Sequence, residues 1–183
     1  REKLAAFIIQ NAIAELGQMY KAEIIDPAEG QLPSDLNKIF IYWQNLCGNE
    51  YGLPWSEFDW MKIPPIVISM CTVVDVMENP LDFVYRFWGT GRTNIQGYDL
   101  TGRSVKDVQP ESLGIKAFDE YSLVCESRKP IYVRTVSTDT DNDKPVMYHF
   151  LRLPFFSESE QVNNIMTASQ RDWMDIKRVH HIY

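Results

Sequence analysis

Histidine and cysteine are scarce in this chain, three of each among 183 residues, and nowhere do they cluster at metal-ligand spacing. Cys47, Cys71 and Cys125 are odd in number and far apart, which excludes a disulfide framework and a zinc knuckle. Each falls on an apolar stripe or run, where a reduced thiol packs as a small hydrophobe. His180 and His181 are adjacent, so their side chains diverge on a helix or a strand and make no metal site by themselves, while His149 stands among apolar residues as a core histidine. Positive charge is also lacking: 18 basic residues against 25 acidic ones leave a net charge of −7, which argues against a groove that tracks nucleic-acid phosphates. The longest apolar run, Ile66 to Val74 with Ser69 and Thr72 inside it, falls short of the roughly 20 residues a membrane helix needs. No apolar signal-peptide core stands at the start. A phosphate-loop lysine, a Ser-His-Asp order, paired catalytic carboxylates, repeats and low-complexity segments are missing as well. The expectation is a cytoplasmic, non-enzymatic chain without nucleic-acid or membrane partners.

What is present is material for a core. Apolar residues make up 45% of the chain and aromatic residues 13%, far from the composition of disordered segments. Ala5, Ile9, Ala12, Leu16 and Met19 recur at helical spacing and predict a helix over residues 3–25, closed by Asp26-Pro27. The same stripe suits either a partner helix or packing on its own domain. After Pro33, the residues Leu36, Ile39, Phe40, Trp43, Leu46 and Cys47 mark one face of a second helix. A turn-rich passage over 48–65 carries Trp55, Phe58 and Trp60, which would pin it to the body.

Residues 66–76 are apolar in both alternate registers and read as a strand covered on both faces. The Glu78-Asn79-Pro80 turn joins it to a second strand in which Phe83, Tyr85 and Phe87 alternate with Asp82, Val84 and Arg86. That strand ends abruptly at Gly89 and Gly91. Asn94, Gly97 and Gly102 then offer positions tolerant of positive φ, so the segment should fold into tight turns around a concave corner. A helix is expected over 114–127 from Ala117, Phe118, Tyr121, Val124 and Cys125, followed by strands opening at Pro130 and Pro145 and a last strand over 161–168. Strands, then helices, then strands is an α+β order with helices across one face of an antiparallel sheet. The expected division is a helical extension over 1–33, one domain over 34–168 and a tail over 169–183.

With that order in hand, the motifs add a resemblance. The segment FVYRFWGTGRTNIQGYDLTGRSVKDV resembles a PAS sensory domain. Gly97 to Arg103, GYDLTGR, is similar to the helix-ending glycine and following Gly-Arg of that family, and Arg86 to Thr90 is similar to the R-x-x-G-T of one bacterial PAS-like branch. Trp43, the LPWSEFDWMKIP passage, KPIYVR and LRLPF resemble further segments of the branch in the same order, so the likeness runs from Leu36 to Ala168. Trp55 departs from it, standing where an arginine commonly follows the Leu-Pro.

The resemblance implies a five-stranded antiparallel sheet, a helix closing a small cavity on one face, and sensing, dimerisation or signal relay as the activity. Flavin-binding members bond their cofactor through a cysteine in an Asn-Cys-Arg-Phe-like motif; here Ser104-Val105-Lys106-Asp107 stands in its place. Haem-binding members use a histidine in the long helix, and residues 112–127 contain none. No cofactor is therefore expected. The candidates for the pocket are Tyr85, Arg86, Phe87, Trp88, Phe118, Tyr121, Val124, Val133, Arg134, His149 and Leu151. Arg86, Arg134 and Arg152 fall on three different strands. They either face solvent or turn inward onto a carboxylate or an anionic ligand. The expected function is a sensory module that binds a small apolar or acidic metabolite and signals through its flanking helices as a homodimer. The alternative is a ligand-free interaction or homodimerisation module.

Overall fold

The computed structural model describes residues 22–28, 32–48, 53–138 and 145–173. The helix expected over 3–25 lies outside the described residues except at its end, where Glu23–Ile25 is a strand, β1, paired with β4. Helix α1 (Ser34–Cys47) and a short α2 (Pro65–Ile68) precede strands β2 (Cys71–Met77) and β3 (Asp82–Trp88). Helices α3 (Thr90–Gln96) and α4 (Glu111–Ser127) follow, then β4 (Ile131–Thr138), β5 (Pro145–Phe156) and β6 (Val162–Trp173). All pairings are antiparallel, and the six strands run in the order β1-β4-β5-β6-β2-β3. The expected α+β class holds, with β1 as a sixth strand beyond the five anticipated. The apolar run around residue 70 divides between α2 and β2, because Pro65 at the first helical position favours a turn of helix before the strand begins. The last strand reaches Trp173, so its end was expected too early.

Two apolar cores sandwich the sheet. On one face, Leu36, Ile39, Phe40 and Trp43 of α1 pack onto Cys71, Val73, Leu151, Leu153, Phe155 and Met166. Their spacing of three and four puts them on one stripe of the helix. The Trp43 indole Nε1 donates to the carbonyl of Pro154 at 3.2 Å and so fixes where α1 lies along β5. The aromatic passage joins the same core: Trp55 meets Phe155 edge-on with centroids 5.0 Å apart, and Trp60 tilts against Phe87 at 5.1 Å. On the other face, α4 and the corner after β3 cover Val74, Phe83, Tyr85, Trp88, Ile131, Val133 and Ile165. Residues 71–74 of β2 are accordingly buried on both sides, as a strand apolar in both registers requires.

The corner is held by backbone contacts. Gly89 N–H donates to the Cys71 carbonyl at 2.9 Å and Gly91 N–H to the Ser69 carbonyl at 2.8 Å, which locks the start of α3 against the end of α2. Farther on, Tyr85 N–H donates to Arg103 O at 2.9 Å and Gly102 N–H to Tyr85 O at 2.7 Å, so the outer edge of β3 is covered by its own following turn. The glycines divide into two physical roles. Gly97 and Gly102 have φ of +79° and +78° and serve as turn residues. Gly89 has an ordinary φ of −67°, and a Cβ there would lie 2.2 Å from the Ser69 carbonyl oxygen and 2.8 Å from that of Cys71. Gly89→Ala should therefore destabilise the fold by about 2–3 kcal/mol through forced backbone displacement, against about 1 kcal/mol for Gly97→Ala, where only the left-handed conformation is strained. Urea midpoints of the two variants check this, and equal midpoints would remove the close approach as the reason for Gly89.

Candidate ligand cavity

Between the sheet and helices α3 and α4 lies a cavity of about 510 Å³, within the range of small-molecule sites. Its aromatic walls come from Tyr85, Trp88, Tyr121, Tyr148 and Phe150, and its polar wall from Arg92, Gln96, Lys116, Glu120 and Arg152. Tyr85 and Trp88 share this wall although they are three apart in sequence, and a bulge in β3 is the reason. Val74 pairs with Tyr85 while Val73 pairs with Phe87, which leaves Arg86 without a register partner. Alternation restarts after Arg86. Trp88 turns into the cavity and Phe87 to the opposite core against Trp60.

The bulge and the strand parities decide where the expected pocket residues stand. Tyr85, Trp88 and Tyr121 line the cavity. Arg86 projects outward and its Nε pairs with Asp75 Oδ1 at 2.6 Å, and Phe87 lies in the other core. Val124 and Val133 are buried in the core beside the cavity, and Phe118 packs on Phe83 at 5.2 Å. Arg134, His149 and Leu151 belong to the opposite face of the sheet: Arg134 pairs with Glu23, His149 bonds Tyr132, and Leu151 packs under α1. On β5 the cavity-facing set is Tyr148, Phe150 and Arg152, one residue out of step with His149 and Leu151, and a one-residue offset reverses every side chain of a strand.

Arg152 turns inward and meets a carboxylate. Its Nε donates to Glu120 Oε2 at 2.9 Å, its second terminal nitrogen reaches the same oxygen, and Nη1 donates to Thr167 Oγ1 at 2.8 Å. The guanidinium also lies over the Tyr121 ring at 4.3 Å. Burial works against its charge, but the Glu120 carboxylate outweighs that and holds its pKa above the ordinary value. Helix α4 buries Glu120 beside Tyr121 and Val124, which an apolar stripe alone does not announce.

Other polar groups in the wall have no such partner. Trp88 Nε1, Arg92 Nε and Gln96 Oε1 are buried with no hydrogen-bond partner among the described residues, an arrangement that is rare unless a ligand or water completes it. Arg92 lies over the rings of Trp88 and Phe150, with centroid distances of 5.5 and 5.8 Å. Burial pulls its pKa below the ordinary value, opposed by the neighbouring Tyr85 and Tyr121 hydroxyls. Sequence reasoning missed Arg92 and Gln96 because GTGRTNIQG reads as turns; their separation of four, which puts both on one face of a helix, was the available signal. The cysteines lie outside the cavity wall. Burial pushes Cys47 and Cys125 up to about 11, so neither is a thiolate near neutral pH.

Five of the strands, in the order β4-β5-β6-β2-β3, with α3 and α4 crossing between β3 and β4 over a cavity, reproduce the arrangement implied by the sequence motifs. The fold is PAS-like. No protein-family model and no curated protein matches the chain. Among solved structures, the chain is similar to an RNA-binding light-oxygen-voltage receptor, with 13% identity over 87% of this chain and 40% of that one and a TM-score of 0.45. It therefore spans less than half of that receptor. It is also similar to a fungal light-oxygen-voltage photoreceptor domain, at 17% identity over 75% of this chain and 91% of that one with a TM-score of 0.43. A third is a light-oxygen-voltage domain whose mechanism was probed with a flavin analogue, at 15% identity over 60% of this chain and 82% of that one with a TM-score of 0.43.

The expectation that no cofactor is held is withdrawn. It rested on a missing cysteine motif and a missing helix histidine, which bear on one covalent photochemical bond and one axial ligand and not on whether the cavity is occupied. The wall fits a planar heteroaromatic group in kind: aromatic faces, an unpartnered indole N–H, an amide oxygen and a guanidinium.

Two outcomes follow from the placements. Glu120→Gln should lower stability by about 3–5 kcal/mol, because it leaves the Arg152 charge buried and uncompensated. Adding Arg152→Met should restore most of the loss, and a double-mutant cycle in urea that shows simple additivity would refute the pair as a coupled unit. On the opposite face, His149 Nδ1 meets the Tyr132 hydroxyl at 2.6 Å and its Nε2 lies 3.2 Å from Asp172 Oδ2. Burial lowers the His149 pKa from its ordinary 6.5, partly offset by Asp172. The unfolded chain then binds the proton first, so stability should fall as pH drops from about 7.5 to 5.5. Urea midpoints should show that slope reduced in His149→Gln; an unchanged slope would assign it to other groups.

Proposed function

We propose that this protein is a cytoplasmic sensory or regulatory module that binds a small molecule between its sheet and helices α3 and α4, and reports occupancy through its flanking segments as a homodimer. One observation carries the reading: the cavity of about 510 Å³ contains buried polar atoms of Trp88, Arg92 and Gln96 that no group among the described residues satisfies. A filled core would have no use for them, because an unsatisfied buried donor or acceptor costs about 1–3 kcal/mol. The occupant would stack on the aromatic walls and supply hydrogen-bond partners at its edge. A flavin or another planar heteroaromatic meets both demands. A flavin would bring its own redox and light-absorbing chemistry, while the residues here would stack against it, hold its polar edge and exclude water. No group of histidine, cysteine or carboxylate side chains among the described residues could hold a metal, and no described helix is long and apolar enough to cross a membrane.

The expected result is a copurified mass above that of the polypeptide in native mass spectra of gently purified protein, or a rise in melting temperature with one member of a panel of flavins and aromatic metabolites. A bound flavin would show directly as its visible absorption band. Bare polypeptide in the spectrum, with no thermal shift across the panel, would overturn ligand sensing and leave homodimerisation through a filled core as the function.

A further inference from the structure

Among the described residues that line the cavity, two cations stand without an ion pair. Arg92, Lys116, Arg152 and Arg171 line it, and Glu120 is the one carboxylate among the described lining residues. Glu120 is bonded to Arg152 and reaches Lys116 only through space, as an attraction without an ion-pair contact. Arg171 has contacts of its own, one of them over the Trp173 ring at 5.6 Å. Arg92 is different: among the described residues it makes no ion pair and its Nε has no acceptor, it lies over the π-faces of Trp88 and Phe150, and the charge nearest it, on Arg152, is of its own sign. Lys116, one turn before Glu120 on α4, adds a second half-buried cation without an ion pair among the described residues.

An unpaired cation in a water-poor wall is unfavourable. Aromatic faces offset part of that penalty but accept no hydrogen bond as strong as a carboxylate's. The planar guanidinium is, however, well placed to bind a carboxylate or phosphate while its own face stays stacked on a ring. We infer that the occupant of the cavity is an anionic aromatic molecule, whose carboxylate or phosphate pairs with Arg92 while its ring system lies among Tyr85, Trp88 and Phe150. The inference rests on the cavity being a ligand site and adds the charge of the ligand and the residue that reads it. Lys116 contributes attraction at longer range, and the Arg152–Glu120 pair, neutral as a unit, adds little net charge toward the ligand.

Matched probes separate charge from shape. Indole-3-acetate against indole-3-acetamide, and flavin mononucleotide against riboflavin, each compare one ring system with and without an anionic group; the first pair reports a carboxylate and the second a phosphate. Calorimetric titration and thermal shift of the full chain should show at least one anionic member bound about tenfold or more tightly than its neutral partner, the low end of what a buried charge pair contributes. Arg92→Gln should abolish that preference while leaving the neutral member's affinity in place. If Arg92→Gln does not fold, Arg92→Lys serves, with the preference kept but reduced because the bidentate contact is lost.

Equal binding of neutral and anionic partners overturns the charge assignment and leaves the cavity as a ligand site. So does a preference for the anion that survives in Arg92→Gln. If none of the four binds, the copurified compound in the native mass spectrum decides: an aromatic acid supports the inference and a neutral molecule overturns it. No binding and no copurified mass overturns this inference together with the ligand-site reading.

Discussion

Arg152 and Glu120 exchange charge across the inside of the molecule, both about 6% exposed, and the cavity exists in its present form because they do. A guanidinium and a carboxylate moved out of water must satisfy one another and their remaining hydrogen-bonding capacity, or the fold is lost. The pair does so by drawing in Thr167 from β6 and the Tyr121 ring from α4. Three elements that are distant in sequence are thereby set at fixed separations. A helix drawn to the sheet by apolar side chains alone could settle closer and fill the space. With a carboxylate on its buried face, α4 stops where Glu120 meets Arg152, and the remaining volume is left between α3, α4 and the sheet.

That polar strut contrasts with the other face, where apolar packing is continuous. Leu151, Leu153 and Phe155 of β5 meet Leu36, Ile39 and Trp43 of α1 without a charged residue among them, and Trp55, Phe58 and Trp60 close the margin through edge-on and tilted ring contacts. Dense aromatic packing of this kind resists small displacements. The sheet is thus supported from behind by a rigid layer and opens in front onto a polar-lined space, a division of labour suited to a site that must keep its shape. Toward the β1 edge the rear face becomes polar, with Tyr132, His149 and Asp172 in line and Arg134 bound to Glu23.

The order of elements, the amphipathic helix of Leu36, Ile39, Phe40 and Trp43, the doubly covered strand near residue 70 and the glycine-rich corner were all legible in the sequence, because each depends on local spacing and on residue types with strong backbone preferences. The PAS-like fold was legible for the same reason, through short motifs in a consistent order along the chain. Tyr85 and Tyr121 were found as cavity residues by strand and helix periodicity. The expectation of no cofactor drew on one missing cysteine motif and one missing histidine, and neither is evidence about the whole cavity.

What local spacing could not reveal was parity. A single bulged residue, Arg86, sends Trp88 into the cavity and Phe87 out of it, and the facing of β5 depends on which of two neighbours, Leu151 or Arg152, is turned toward α4. Both are buried, at 0% and 5% exposure, so hydrophobicity alone favours the wrong one. The choice is made by Glu120, thirty-two residues away in sequence, because the Arg152 charge, buried at that position, is compensated by the carboxylate it meets there. The elements, their order and the aromatic wealth of the core were therefore determined by sequence. Which side chains face the cavity, and that Arg92 stands among them with no ion pair from the described residues, was decided by tertiary structure, since burial of charge depends on partners that only the folded chain brings together.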